Sequence, residues 1–154
     1  MTDQKLHQLL EDMSLQEKID QLLQLTADFY GKTDRDVVTG PAAQLGISMG
    51  DIDLAGSVLN GTGAKALIQI QDTYMAKHPH HIPLLFMMDV IHGYRTIFPA
   101  PIAQGASFDP EMSQKAAAAA AREASAAGIH VVFSPMVDLV RDPRWGRVME
   151  STGE

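Results

Sequence analysis

Pro83-Leu84-Leu85-Phe86-Met87-Met88-Asp89-Val90-Ile91-His92-Gly93 is the stretch on which the architecture turns. An apolar run stops at Asp89, and polar groups and a glycine follow. The run over Ile82–Met88 is predicted to be a strand. A carboxylate at the carboxyl end of a strand is held in place by the core beneath it, where α/β folds put their ligand sites. A second stretch has the same form. Phe133-Ser134-Pro135-Met136-Val137-Asp138 leaves an apolar run and leads into Arg141-Asp142-Pro143-Arg144-Trp145-Gly146-Arg147.

Working outward, these two stretches sit in an alternation of strands and helices. Asn60-Gly61-Thr62-Gly63 turns a short strand at Leu54–Leu59 into a helix over Ala64–Lys77, with Leu67, Ile68, Tyr74 and Met75 on one face. After a long loop, Asp109-Pro110-Glu111 is a helix start: a capping aspartate, proline at the first helical position and an acid in the first turn. The alanine-rich helix that follows closes at Gly128, and Ile129–Ser134 is a third strand. Strand, helix, strand, helix, strand implies right-handed βαβ units and a parallel sheet covered by helices. Upstream, Leu6, Leu9, Leu10 and Met13 follow the helical period. Ser14 and Glu17 form a capping box for a second helix with Leu15, Ile19, Leu22 and Leu23 as its buried stripe. Residues 27–50 read as loop, broken by Gly31, Gly40, Pro41, Gly46 and Gly50.

The chain has 154 residues, 45% of them hydrophobic, which is enough for one domain with a real core. It has no cysteine, so disulfides, thiolate metal sites and cysteine nucleophiles are excluded. A net charge of −7 argues against nucleic acid or an anionic membrane as the main partner. No apolar run reaches the length of a membrane span. The polar start, Met1 to Lys5, is unlike a signal peptide, and a cytoplasmic location is the expectation.

Asp89 is the first candidate for chemistry, because both carboxylate oxygens can accept hydrogen bonds from neighbouring sugar hydroxyls. The bland alternative is a loop aspartate that ties down the next turn. Arg141, Arg144 and Arg147 recur every third residue, and arginine's planar fork suits polyol oxygens and carboxylates. The alternative is a loop held by its own Arg–Asp pairs with Trp145 as a core plug. Asp138 and Glu150 are further carboxylates near the same sheet end, but spacing cannot pair them as the two carboxyls of glycoside hydrolysis. His78, His80 and His81 could ligate a metal, although Pro79 interrupts them and an exposed loop is the simpler reading. His92 reads as a hydrogen-bonded structural histidine and His130 as a core or interface residue. Neither a dinucleotide fingerprint, nor a P-loop, nor a Gly-x-Ser-x-Gly elbow is present.

Taken in order, the motifs resemble the N-terminal domain of family 3 glycoside hydrolases, the bacterial β-glucosidase type. The resemblance runs through Met13-Ser14-Leu15-Gln16-Glu17-Lys18-Ile19, Gly56-Ser57-Val58-Leu59-Asn60 and Met88-Asp89-Val90-Ile91-His92-Gly93-Tyr94-Arg95-Thr96-Ile97-Phe98-Pro99. It continues through Ala106-Ser107-Phe108-Asp109 and both parts of the 133–147 stretch. It implies an α/β fold, a partial (β/α)8 (TIM-type) barrel of about three strand–helix units. Residues 1–154 would be an N-terminal fragment that stops before the nucleophile. Asp89 and Arg147 would bind the nonreducing-end glucosyl unit, and Arg141, Asp142 and Arg144 would shape the loop. The nucleophile, the acid/base and a Lys-His pair would lie beyond Glu154, so no catalytic residue is assigned and Asp138 is not promoted. No metal and no cofactor are expected.

A whole barrel takes about 250 residues, and three parallel strands cannot close. The fragment is therefore expected to be inactive alone and to need the rest of the barrel or self-association. The competing reading is a noncatalytic sugar-binding or assembly fragment that works only with another polypeptide. A flavodoxin-like open sheet is a third reading, with too few strands in view.

Overall fold

The computed structural model describes residues 2–30 and 44–153. The part of the expected loop that holds Gly31, Gly40 and Pro41 lies outside the described residues. The chain divides into two compact units, Met1–Phe86 and Met87–Glu154, and the division falls inside the third strand.

The first unit opens with α1 (Asp3–Asp12) and α2 (Leu15–Asp20). The Ser14–Glu17 capping box forms as expected, with Glu17 N–H donating to Ser14 Oγ at 3.2 Å and Ser14 N–H to Glu17 Oε2 at 2.6 Å. The expected apolar stripe does not. Leu15, Ile19 and Leu22 are exposed, Leu22 at 86%. The reason is length: α2 has only 6 residues, and the chain turns directly into β1 (Gln24–Thr26), a strand that periodicity does not reveal because it is so short. A 3₁₀ turn (Ala27–Phe29) follows, and a short helix, α3 (Met49–Ile52), stands in what reads as loop. Leu25, Ile52 and Ala55 form a buried cluster on which Phe29, Tyr30 and Ile47 pack.

β2 (Ser57–Leu59) is shorter than the expected Leu54–Leu59 and runs parallel to β1, with Leu25 opposite Val58. Helix α4 spans Ala64–Lys77 as predicted, with Leu67 and Tyr74 buried, while Ile68 faces solvent. Tyr74 Oη donates to Ala55 O at 2.6 Å, and burial pushes the phenol up to about 12. β3 (Leu85–Met88) begins beside β2, where Leu85 N–H donates to Gly56 O at 3.0 Å.

The histidine cluster departs from expectation. His78 is buried, at 1% exposure, rather than in an exposed loop. Its Nδ1 accepts the backbone N–H groups of His80 (3.2 Å) and Ile82 (3.4 Å), and its ring lies 5.4 Å from that of Tyr74. Nδ1 can do this only in the neutral imidazole. Burial first, then the neighbouring His80, holds His78 below its ordinary value of 6.5, while Glu17 pulls the other way. Below about pH 6.5 the unfolded chain therefore binds more protons than the fold. The stability His78 confers is full above that value and lost as the pH falls towards the lowered pKa. Thermal melts between about pH 7.5 and about pH 5.5 are expected to show a falling midpoint, with a shallower fall in His78→Gln. An equal slope in both proteins would refute the assignment.

In the second unit, α5 (Pro101–Ala106) occupies part of the expected long loop. Helix α6 spans Pro110–Ala126 and starts as its sequence predicts, with Pro110 at its first position and Met112 N–H donating to Asp109 Oδ1 at 2.9 Å. Ala116, Ala120 and Ala124 recur every fourth residue as its buried stripe, where small side chains permit close approach. β4 is only Val131–Val132, parallel to β3 with Met87 opposite Val131. His130 stands before it and is exposed, so it is not a core residue. A 3₁₀ turn at Val148–Glu150 packs on α5.

Among the described residues the sheet has four strands in the order β1-β2-β3-β4, one more than the sequence suggested. Sequential order is that of an arc of a parallel barrel. A doubly wound flavodoxin-like sheet would reverse direction within the order.

Candidate sugar-binding site

β3 ends at Met88, and Asp89 follows at once. Its main chain is tied to the neighbouring strand end: Phe133 N–H donates to Met88 O and Ser134 N–H to Asp89 O, both at 3.2 Å. The carboxylate itself is exposed. Next comes Val90 with φ +51, a conformation that a β-branched residue adopts at a cost of about 1–3 kcal/mol. Such a residue persists only where its surroundings hold it, and Val90 is buried. The chain then doubles back. His92 O accepts Phe98 N–H and His92 Nδ1 meets Phe98 O, both at 2.8 Å, while Gly93 bridges Ile97. His92 is thus the hydrogen-bonded structural histidine that its position suggested.

Arg147 lies at the start of the 3₁₀ turn that follows the second stretch. Glu150 holds it from one side. Arg147 Nε donates to Oε1 and Oε2 at 3.0 and 3.1 Å, and Nη2 to Oε2 at 2.5 Å. Nη2 also approaches Met136 Sδ at 3.8 Å. These hydrogen bonds raise the guanidinium above its ordinary value, with the charges of Glu150, Asp138 and Asp89 adding to the effect, and they lower Glu150 in turn. Asp89, 58 positions earlier in the chain, is the last and smallest of these contributions. Glu150 grips the Nε–Nη2 edge of the fork, which sets the guanidinium plane.

Arg144 does what the bland reading proposed. It chelates Asp142, with Nε to Oδ1 at 2.9 Å and Nη2 to Oδ2 at 2.6 Å, and Arg144 N–H also reaches Oδ1 at 3.0 Å. The pair is exposed, so it shapes the loop and adds little stability. Trp145 is 37% exposed and does not plug the core. Asp138 is exposed, and its carbonyl accepts the Ser151 hydroxyl at 2.6 Å. Ser151 is fully buried, and this latch seats the turn that carries Arg147.

A cleft of about 310 Å³ opens beside the site. Val90, His92, Ala116, Ala120, Met136 and Glu150 are on its wall, which is largely apolar, and neither Asp89 nor Arg147 lines it. Among the described residues no group of three or more His, Cys, Asp or Glu is placed to hold a metal ion. No helix among them is long and apolar enough to cross a membrane.

The site thus carries a strand-end carboxylate and a guanidinium braced by Glu150. Residues 14–154 match the model of the glycosyl hydrolase family 3 N terminal domain, and the chain belongs to that family. The four strands are accordingly part of a (β/α)8-type barrel. The chain is 35% identical to the periplasmic beta-glucosidase of Salmonella typhimurium over 151 residues, 95% of this chain and 18% of the relative. Two crystal structures of a beta-glucosidase from Listeria innocua are similar throughout. The one in complex with isofagomine is 47% identical with a TM-score of 0.88, covering 100% of this chain and 21% of that one. The one in complex with glucose is 49% identical with a TM-score of 0.90, covering 100% and 22%. The chain thus spans about a fifth of the length of these relatives.

Proposed function

We propose that this chain supplies part of the glucosyl pocket of a retaining β-glucosidase. The observation that carries the reading is the placement of Asp89 at the end of β3, its backbone tied to Ser134, together with an Arg147 fork braced by Glu150. Asp89 accepts hydrogen bonds from two hydroxyls of the nonreducing-end glucose, and Arg147 donates to a third oxygen. Both grips tighten as the sugar distorts towards the transition state, which turns binding into rate. In the complete enzyme a carboxylate attacks the anomeric carbon to give a glycosyl-enzyme, and water then releases glucose with retained configuration. Neither of those carboxyls is assigned to residues 1–154, so the chain alone binds sugar weakly and does not hydrolyse it.

The test uses the chain and a graft. Titration of the purified chain with isofagomine or glucose reports binding, and an aryl β-glucoside reports turnover. The graft places residues 14–154 in the Listeria innocua enzyme in place of the matching segment. Turnover in the graft and none in the chain alone is the expected result. Turnover by the isolated chain that vanishes in Asp89→Ala would overturn it. A stable oligomer of the chain that binds glucose, beside an inactive graft, would favour the noncatalytic reading.

Arg147→Lys in the graft is expected to raise KM for the glucoside about 10–100-fold, because an ammonium can be held neither by a bidentate carboxylate nor in a fixed plane. An unchanged KM would remove Arg147 from the pocket.

A further inference from the structure

We propose that Glu123 is the positioning residue for Asp89, acting through the hairpin at residues 92–98. This deepens the proposed function and rests on Asp89 binding the sugar. Glu123 stands on α6, next to the fully packed Ala124, so its backbone is fixed. Its carboxylate reaches the tip of the hairpin and accepts three hydrogen bonds. Oε2 takes Arg95 N–H at 2.9 Å and Thr96 N–H at 2.8 Å, and Oε1 takes the Thr96 hydroxyl at 2.6 Å. These bonds hold the carboxylate in its charged form, at a pKa below its ordinary value.

The hairpin passes this constraint to Asp89. Its base is closed by the two His92–Phe98 hydrogen bonds, and its neck is tight: a Cβ at Gly93 (φ +134) would stand 2.0 Å from Thr96 O. Only Val90 and Ile91 separate that base from Asp89, and Val90 holds a left-handed turn. On the other side Ser134 N–H fixes the Asp89 carbonyl. The carboxylate therefore leaves a backbone segment pinned at both ends, one end by β4's continuation and the other by Glu123. Freed of Glu123, the 95–96 tip has lost three anchors, Val90 is able to relax, and the Asp89 carboxylate loses its aim.

A double-mutant cycle in the grafted enzyme tests this, because a general structural role does not couple to Asp89. Glu123→Ala is expected to lower kcat/KM for an aryl β-glucoside roughly tenfold or more in the parent and by less than about twofold in the Asp89→Ala background. Glu123→Gln is expected to recover most of the loss, since its amide oxygen still accepts the two backbone N–H groups. Thr96→Val, which removes only the hydroxyl donor, gives a smaller loss with the same coupling and supplies the reading if Glu123→Ala does not fold. Equal losses in both backgrounds, or no loss in the parent, overturn the proposal. A large Asp89→Ala effect with additive Glu123 losses sinks the clamp alone. A silent Asp89→Ala sinks the sugar-pocket reading and the clamp with it.

Discussion

Asp89→Ala in the grafted enzyme is expected to lower kcat/KM for an aryl β-glucoside by about 10²–10⁴-fold, with little change in melting temperature. The magnitude follows from two hydrogen bonds to a charged acceptor, each about 1.5–3 kcal/mol, converted at 1.36 kcal/mol per tenfold. The structure indicates why folding is spared. The carboxylate is exposed, and what ties this position to the core is its backbone carbonyl, which alanine retains. Asp89→Asn separates charge from shape: it keeps the size but puts a donor where one acceptor stood. Its loss should fall between those of the parent and the alanine variant, mostly in kcat if the bonds strengthen in the transition state. A loss of less than threefold in Asp89→Ala would mean that another group holds the sugar.

Gly105→Ala is expected to be strongly damaging to the second unit although it adds a single methyl group. Two effects oppose each other. Alanine in a helix gains about 1 kcal/mol over glycine. Yet a Cβ at Gly105 would stand 2.0 Å from Thr152 O and 2.9 Å from Thr152 C, which is backbone and cannot swing aside. Relief requires the 147–153 segment to lift from α5, against the buried Ser151 latch and the Val140–Gly153 hydrogen bond of 3.4 Å. Overpacking of this kind costs about 1–3 kcal/mol and more where backbone must move, so the clash outweighs the propensity. The graft should melt several degrees lower and lose glucoside affinity, because the displaced segment carries Arg147 and Glu150. Gly146→Ala is the control: it adjoins Arg147 in sequence, but a Cβ there meets nothing within 4 Å. A Gly105→Ala enzyme as stable and active as Gly146→Ala would show that the segment is not seated as described.

The family and the strand–helix alternation were legible in the chain itself, because they depend on local order, whereas Asp89 and Arg147 were singled out as sugar-holding residues by the family resemblance. A capping box needs Ser14 and Glu17 three apart, a helix start needs Asp109-Pro110, and a strand-end carboxylate needs an apolar run that stops at Asp89. These patterns act within a few residues, and the structure forms each of them. What periodicity could not supply was anything decided by distant partners. β1 has only 3 residues and exists through its pairing with β2, so it carries too little pattern to be seen. Leu15, Ile19 and Leu22 have helical spacing yet face outward, because a 6-residue helix ends before the stripe can be packed. His78 reads as a loop residue until two backbone N–H groups and the Tyr74 ring close around it.

The site divides in the same way. Sequence alone could nominate Asp89 and Arg147. Only the tertiary structure could show that Glu150 braces the arginine, that Asp142 occupies Arg144, and that Glu123 clamps the turn beyond Asp89. Carboxylate partners are chosen by distance in space, and Glu123 lies 27 positions from the hydroxyl it accepts.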